Sequence, residues 1–321
     1  LPIWLNYYTG YYYSLANQYG ISLTSWDAVG ELSSDNSNAD ALIAMTEFTI
    51  RQYHAVADAA AEAGITLTEA DLAELEDVYT SNCDTDGDGE VTDEEIGAFE
   101  DYLAEQHVDK DFFSYLNEIA LLSDRLFEYY YGESGENCPD DITMQYIDEN
   151  GVMYAKHILL LTVDSLTYEP LDEETIAQKA ETAAKLYEEL SAVADDKDAL
   201  LPLFDEYMAD YTEDTGYESY PDGYVFSEGE MVQEFEDAVK ALDENYGLSE
   251  IVESPYGYHI ILRQPITPDT IAGTNAYGES VSFRYAAAED QFTVKLNNWT
   301  ESAETVWNET FDAAAMLAIF G

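Results

Sequence analysis

Apolar positions recur every three to four residues through the first 150 positions, the spacing of one face of an α-helix. Trp4, Tyr7, Tyr8, Tyr11, Tyr12 and Leu15 form one such stripe. An alanine-rich stretch predicts a long helix from Ala39 to Ala63, closed by Gly64 as a glycine C-cap. Thr68 and Asp71 make a capping-box-like start for the next helix, which carries Leu72, Leu75 and Val78 on one face. Phe112, Phe113, Leu116, Ile119, Leu122, Leu126 and Tyr130 mark another amphipathic helix. The tyrosine stripes read as core and interface packing.

The period then changes. Met153 to Val163 is an apolar run that suits a buried strand. Ile176, Ala180, Ala183 and Leu190 predict a long helix, and Leu200 to Tyr211 a second. A short strand over Gly223–Ser227, a helix over Met231–Leu242 and strands at Ile251–Val252 and His259–Leu262 complete the order β-α-α-β-α-β-β. From about Thr267 the pattern returns to helix, with Phe292, Leu296, Trp299, Ala303 and Val306 on one face. A lone tail helix with such a face needs a partner, and the N-terminal helical region is the obvious one.

Charge narrows the function classes. Asp and Glu number 68 against 11 Lys and Arg, a formal charge of −57. Such a chain repels phosphate backbones and anionic lipid, which argues against nucleic-acid partners. It suits a salty or calcium-rich medium, or a surface that attracts basic, unfolded clients. No apolar stretch is long enough to span a membrane. The chain starts at Leu1 rather than Met, which suggests a processed or trimmed form. Cys83 and Cys138 suggest one disulfide in an exported protein, or two thiols in a cytosolic one; the disulfide is the expectation adopted. They are not spaced with His or further Cys to make a metal site.

Residues 84–95, Asp84-Thr85-Asp86-Gly87-Asp88-Gly89-Glu90-Val91-Thr92-Asp93-Glu94-Glu95, fit the EF-hand loop pattern at every diagnostic position. Asp84, Asp86 and Asp88 offer side-chain oxygens, Glu90 a backbone carbonyl, and Glu95 a bidentate carboxylate. Gly89 permits the sharp turn and Val91 points to the core. The competing reading is an acidic capped turn, since Thr92 and Glu95 also form a capping box. The expectation is one structural Ca2+.

Three ordered segments carry the most specific signal: Ala155-Lys156-His157-Ile158-Leu159-Leu160, Phe226-Ser227-Glu228-Gly229-Glu230-Met231-Val232-Gln233-Glu234-Phe235, and Tyr256-Gly257-Tyr258-His259-Ile260-Ile261-Leu262-Arg263. Together they resemble parvulin-type (PpiC, rotamase) peptidyl-prolyl cis–trans isomerases, and most of the chain resembles extracytoplasmic foldases of the PrsA and SurA type. The phrase Ala61-Glu62-Ala63-Gly64-Ile65-Thr66-Leu67-Thr68 adds to the second resemblance.

The implied fold class is α+β: a mainly helical chaperone-like domain from the two ends of the chain, with a parvulin β-α-α-β-α-β-β domain inserted. The implied domains are 1–150, 151–266 and a C-terminal segment 267–321 packing on the first. The resemblance places His157, Asp214, Ser254 and His259 in the catalytic network and Met231, Phe235 and Phe226 at the proline-binding surface. Catalysis needs no cofactor, because twisting an amide needs an apolar pocket and a few polar groups near the carbonyl.

The family's glycine-rich stretch is replaced by Tyr220-Pro221-Asp222-Gly223-Tyr224, an apolar pocket position falls on Gly223, and Tyr256 stands where a serine is usual. These departures could reshape or weaken the site. The loop Asp164–Glu174 carries no Lys or Arg, which argues against phosphorylated Ser-Pro or Thr-Pro substrates. The implied function is an exported isomerase and foldase, its partners unfolded or proline-containing polypeptides, its location extracytoplasmic. The alternative is a catalytically weak scaffold acting as a chaperone or self-associating into calcium-stabilised surface fibres.

Overall fold

The computed structural model describes residues 2–20, 25–106, 108–275 and 278–305. The chain divides into two compact units: one holds the residues up to Asn137 and those from Glu289 onward, the other Cys138–Ala288. These dividing points differ from the 150 and 266 of the sequence reading.

The first unit is helical: α1 (Pro2–Gln18), α2 (Asn38–Ala63), α3 (Glu69–Cys83), α4 (Asp93–Glu105) and α5 (Lys110–Tyr131). Gly64 ends α2 in the left-handed region at φ 71°, where only glycine escapes the Cβ penalty. Reciprocal capping boxes open α3 at Thr68/Asp71 and α4 at Thr92/Glu95. Tyr79, Cys83, Phe99, Leu103, Val108 and Phe112 form the core, with Val91 and Trp4 packed against it. The apolar face of α3 is only partly turned inward, with Leu75 and Val78 half-buried. Leu72 is 55% exposed, while Asp71, Tyr79 and Cys83 are buried. The helix is turned this way because Asp71 caps its N-terminus and also accepts from Nε and Nη2 of Arg125 on α5, at 3.1 and 2.7 Å.

In the second unit, α6 (Asp140–Glu149) precedes β1 (Met153–Leu161), α7 (Glu173–Ser191), α8 (Lys197–Tyr211), β2 (Tyr224–Phe226), α9 (Gln233–Ala241), β3 (Val252–Glu253) and β4 (Gly257–Arg263). The four strands make one antiparallel sheet in the order β2-β1-β4-β3. Ile158, Ile260 and Leu262 face α7 and α8 through Leu186, Leu190, Leu200, Phe204 and Met208. Met153, Ala155, Phe226 and Ile261 face α9 through Phe235 and Val239. Helices cover both faces, so the central strands read as apolar runs rather than as alternating patterns.

After β4 the structure departs from the helical expectation. A hairpin, β5 (Ile271–Thr274) with β6 (Ser280–Ser282), precedes α10 (Phe283–Ser302). Asn275 and Gly278 build its turn, with Gly278 at φ 80°. Arg284 at the start of α10 binds Asp269, Asp140 and the Cys138 carbonyl, at 2.9, 2.7 and 2.7 Å. The later part of α10 counts with the first unit, where Phe292 packs edge-on against Phe127 and Trp299 lies 6.0 Å from Tyr130. Val306, expected on the same face, lies outside the described residues.

Cys83 and Cys138 are free thiols, both buried, which corrects the expected disulfide. They belong to different units. Cys83 is enclosed by the aromatic core of the first, and the Cys138 sulfur accepts from the Thr143 hydroxyl at 3.7 Å.

Candidate functional site

The register of β1 against β4 builds the centre of the site. His157 sits opposite Ile261 and Leu159 opposite His259, so the two histidines are diagonal neighbours on the α9 face of the sheet. Their rings lie 5.3 Å apart and nearly parallel, with Nδ1 to Nδ1 at 3.0 Å. The segment after α8 continues along the edge of β1. Glu213 N–H donates to the Leu159 carbonyl at 2.8 Å, and the Leu159 N–H donates to the Thr212 hydroxyl at 3.2 Å. That pairing delivers Asp214 to His157, with Oδ2 3.0 Å from Nε2.

Donor and acceptor bookkeeping orders the network for two neutral histidines. A carboxylate only accepts, so His157 Nε2 carries a hydrogen toward Asp214. His157 Nδ1 is then bare and accepts from His259 Nδ1–H. His259 Nε2 is bare in turn and accepts from the Ser254 hydroxyl at 2.7 Å. Ser254 Oγ accepts from the Tyr256 N–H at 3.1 Å. Every bond in the chain points toward Asp214, which also accepts from the Tyr224 hydroxyl at 2.6 Å and the Gly216 N–H at 3.1 Å.

The electrostatics agree. Burial alone would raise the Asp214 pKa, but hydrogen bonds from His157, Tyr224 and Gly216 outweigh it and hold it at about 2. His259 is pushed down to about 3, first by burial and then by His157, against a smaller pull from Asp214. Burial and the Asp214 charge raise the Tyr224 phenol. At neutral pH the site therefore presents a fixed carboxylate and an uncharged His259.

Two glycines admit Tyr224. A Cβ on Gly216 would lie 2.0 Å from the Tyr224 hydroxyl. Gly223, at φ 99°, runs so close to β1 that a Cβ would meet the Ala155 carbonyl oxygen at 2.6 Å. The segment that departs from the family pattern thus supplies a hydrogen-bond donor to Asp214. Sequence reasoning missed this role of Tyr224; the only signal was a tyrosine two residues before the buried Phe226.

The network opens into a cavity of 360 Å3. His157, His259 and Asp214 line it, together with Met231 and Phe235. Phe235 is 3% exposed and turns edge-on to both histidine rings, at 5.2 and 5.7 Å. Two expected residues stand further back. Phe226 is buried behind Phe235, with ring centroids 5.7 Å apart, and is not part of the wall. It pairs with Met153 at the edge of the sheet, which turns it into the core beneath α9. Ser254 is buried and does not line the cavity itself, but bonds His259 and Tyr256, which do. The wall also includes residues not assigned to it from sequence, among them Glu213, Glu230 and Tyr168.

Apart from this site, Asp84, Asp86 and Asp88 place carboxylate oxygens within 4.8 Å of one another. Their other bonds are to backbone: Asp84 accepts from Gly87 and Gly89, Asp86 from Asp88, and Asp88 from Glu90. Glu95 does not join them. Its carboxylate takes the Thr92 N–H and hydroxyl, at 2.9 and 2.8 Å, and the Thr85 hydroxyl at 3.4 Å. Glu90 is exposed.

Residues 157–264 match the family model for the rotamase, or PPIC-type PPIASE, domain. No curated protein matches the chain. Among solved structures, TbPIN1 is 28% identical over 35% of this chain and 96% of its own, with a TM-score of 0.27. The peptidylprolyl isomerase PrsA of Bacillus cereus is 17% identical over 90% of this chain and 96% of its own, with a TM-score of 0.30. PrsA of Bacillus subtilis is 14% identical, covering 89% and 96%, with a TM-score of 0.26.

Proposed function

Residues 157–264 of this chain belong to the PPIC-type peptidyl-prolyl isomerase family, and from that premise we propose that the whole chain is an extracytoplasmic foldase that isomerises Xaa-Pro bonds in unfolded polypeptides. The observation that carries the reading is the fixed Asp214 carboxylate at the wall of an apolar cavity. A planar amide places partial negative charge on its oxygen and partial double-bond character in its C–N bond. With the proline ring seated on Met231 and Phe235, a carboxylate near the substrate oxygen disfavours that charge separation. The twisted amide, which has lost it, is favoured by comparison. His157, His259 and Ser254 keep Asp214 ionised and in place. No bond to the enzyme forms and no proton is transferred.

The test is cis–trans isomerisation of short Xaa-Pro peptides, followed without a coupling protease. Acceleration by the wild type is expected, with kcat/KM falling about 10- to 100-fold in Asp214→Asn. No acceleration by the folded protein would sink the proposal. Its foldase role is read from faster refolding of a secreted client limited by proline isomerisation.

The acidic loop is proposed to hold one structural Ca2+ on Asp84, Asp86, Asp88 and the Glu90 carbonyl, with Glu95 turning from its capping box to join them. The hard, all-oxygen donor set suits calcium. Calcium at about a thousandfold excess over its Kd would then stabilise the fold by about 4 kcal/mol. A melting temperature that ignores calcium, or that rises equally in Asp86→Ala, would refute the site.

A further inference from the structure

The mouth of the rotamase cavity carries features that gripping a proline ring does not explain. Tyr168 and Tyr256 meet there edge to face, with centroids 6.2 Å apart and exposures of 64% and 40%. Tyr168 holds φ at 57°, the left-handed region that costs a bulky side chain energy. The loop around it keeps it there. Asp164 Oδ1 accepts from the Leu166 and Thr167 N–H groups and the Thr167 hydroxyl, and the Asp164 carbonyl accepts from the Tyr168 N–H. An isolated bridge between Val163 and Pro170 closes the loop. The backbone is thus strained so as to stand an exposed aromatic ring at the cavity mouth.

The second feature is charge. Glu213, Asp214 and Glu230 line the cavity, and no Lys or Arg does among the described residues. Lys179 neutralises Glu213 from outside the wall. Besides His157, Asp214 takes only the Tyr224 hydroxyl and the Gly216 N–H, and the Glu230 carboxylate accepts from the Ser227 N–H. Among the described residues neither Asp214 nor Glu230 is paired with a Lys or Arg, in a chain whose formal charge is −57. Tyrosine faces beside carboxylates form a surface that attracts a cationic side chain through both ring quadrupole and Coulomb terms.

We infer that this cavity selects proline bonds flanked by Lys or Arg, with Tyr168 and Tyr256 receiving the aliphatic stem and charged head while Met231 and Phe235 hold the ring. The inference rests on the isomerase reading above and adds the class of sequence that site prefers. An unfolded segment rich in basic residues would also be drawn by the charge of the whole chain, but only the cavity would distinguish a basic residue next to proline from one further away.

The experiment compares otherwise identical peptides with Arg, Leu or Glu beside the proline, on its N-terminal or C-terminal side, and a control with Arg four residues away. The expected kcat/KM order is Arg above Leu above Glu. Arg should exceed Leu by about three- to tenfold at low salt, with a smaller ratio at high salt. Tyr168→Gly relaxes the positive φ, so its melting temperature holds or rises while the Arg/Leu ratio drops toward one. Glu230→Gln keeps an acceptor for the Ser227 N–H and lowers the same ratio. Equal rates for Arg and Leu, a control as good as the adjacent Arg, or an unchanged ratio in both variants would overturn the inference. If no peptide is isomerised at all, the isomerase reading falls instead. The preference is then decided by fluorescence-polarisation binding of the same peptides: tighter binding of adjacent Arg supports it, and equal binding overturns it.

Discussion

His259 gives the sharpest quantitative expectation, because a buried neutral histidine makes stability depend on pH in a calculable way. In the folded protein its pKa lies at about 3; in the unfolded chain it reverts to about 6.5. The unfolded state therefore takes up a proton as pH falls below 6.5 and the native state does not. The stabilisation is complete above pH 6.5 and is lost as pH falls toward 3. The expected loss from this residue is about 2 kcal/mol between pH 7 and pH 5, and about 3 kcal/mol by pH 4. Asp214, at about 2 against an unfolded value near 3.9, adds its loss mainly below pH 4 and so leaves the upper window to the histidine. Urea unfolding of the wild type and His259→Asn at pH 7, 6 and 5 isolates the effect. The variant starts less stable, and the difference between the two proteins should narrow by about 2 kcal/mol across that range. Parallel curves would refute the buried-neutral assignment, and so would an imidazole NMR titration placing the His259 midpoint near 6.

Three further outcomes are expected. Tyr224→Phe removes one donor to Asp214, so the acid limb of the pH–rate profile should move up from about 2 by roughly one unit, a shift worth about 1.4 kcal/mol; an unmoved limb would show that the phenol does not act on Asp214. Phe235→Ala should cost about 3–5 kcal/mol in urea unfolding and also raise KM for proline peptides, because the ring belongs to both the core and the cavity wall; a change in KM alone would mean the core does not need it. Thiol titration without reductant should find Cys83 and Cys138 unreactive in the native protein and both reactive after unfolding; a failure to react after unfolding would restore the disulfide.

Local signals were legible where the deciding partner is close in sequence. The boxes at Thr68 and Thr92 and the Gly64 cap are set within a few residues, and all three form. The central strands were legible because covering both faces leaves an unbroken apolar run. The burial of Asp71 beside an exposed Leu72 was not, since the partner that draws Asp71 inward is Arg125, 54 residues away. The β5–β6 hairpin was hidden by its small and hydroxylic residues, Ala272, Gly273, Ser280 and Ser282, which give no apolar alternation. At the site, the ordered motifs led to His157, His259, Met231 and Phe235 because strand register and one helical turn fix them. The bond from Tyr224 to Asp214 depends on close approach at Gly216 and Gly223, which a sequence pattern does not measure. Phe226 fell one layer too deep because a strand residue's face is set by its pairing, here with Met153. Cysteine spacing likewise carries no distance, and the two thiols lie in different units.

The sheet order has a consequence for a protein that meets extended, sticky chains. The two long strands, β1 and β4, lie in the middle, and the edges are β2 with three residues and β3 with two. The strands of the separate hairpin have four and three residues. An unfolded client adds to a sheet by hydrogen-bonding along a free edge, and edges this short offer it too few consecutive donors and acceptors to hold. An unfolded client held by this domain would therefore rely on side-chain contacts rather than strand addition. Two copies of the domain would meet the same short edges, which offer few consecutive backbone donors and acceptors for stacking.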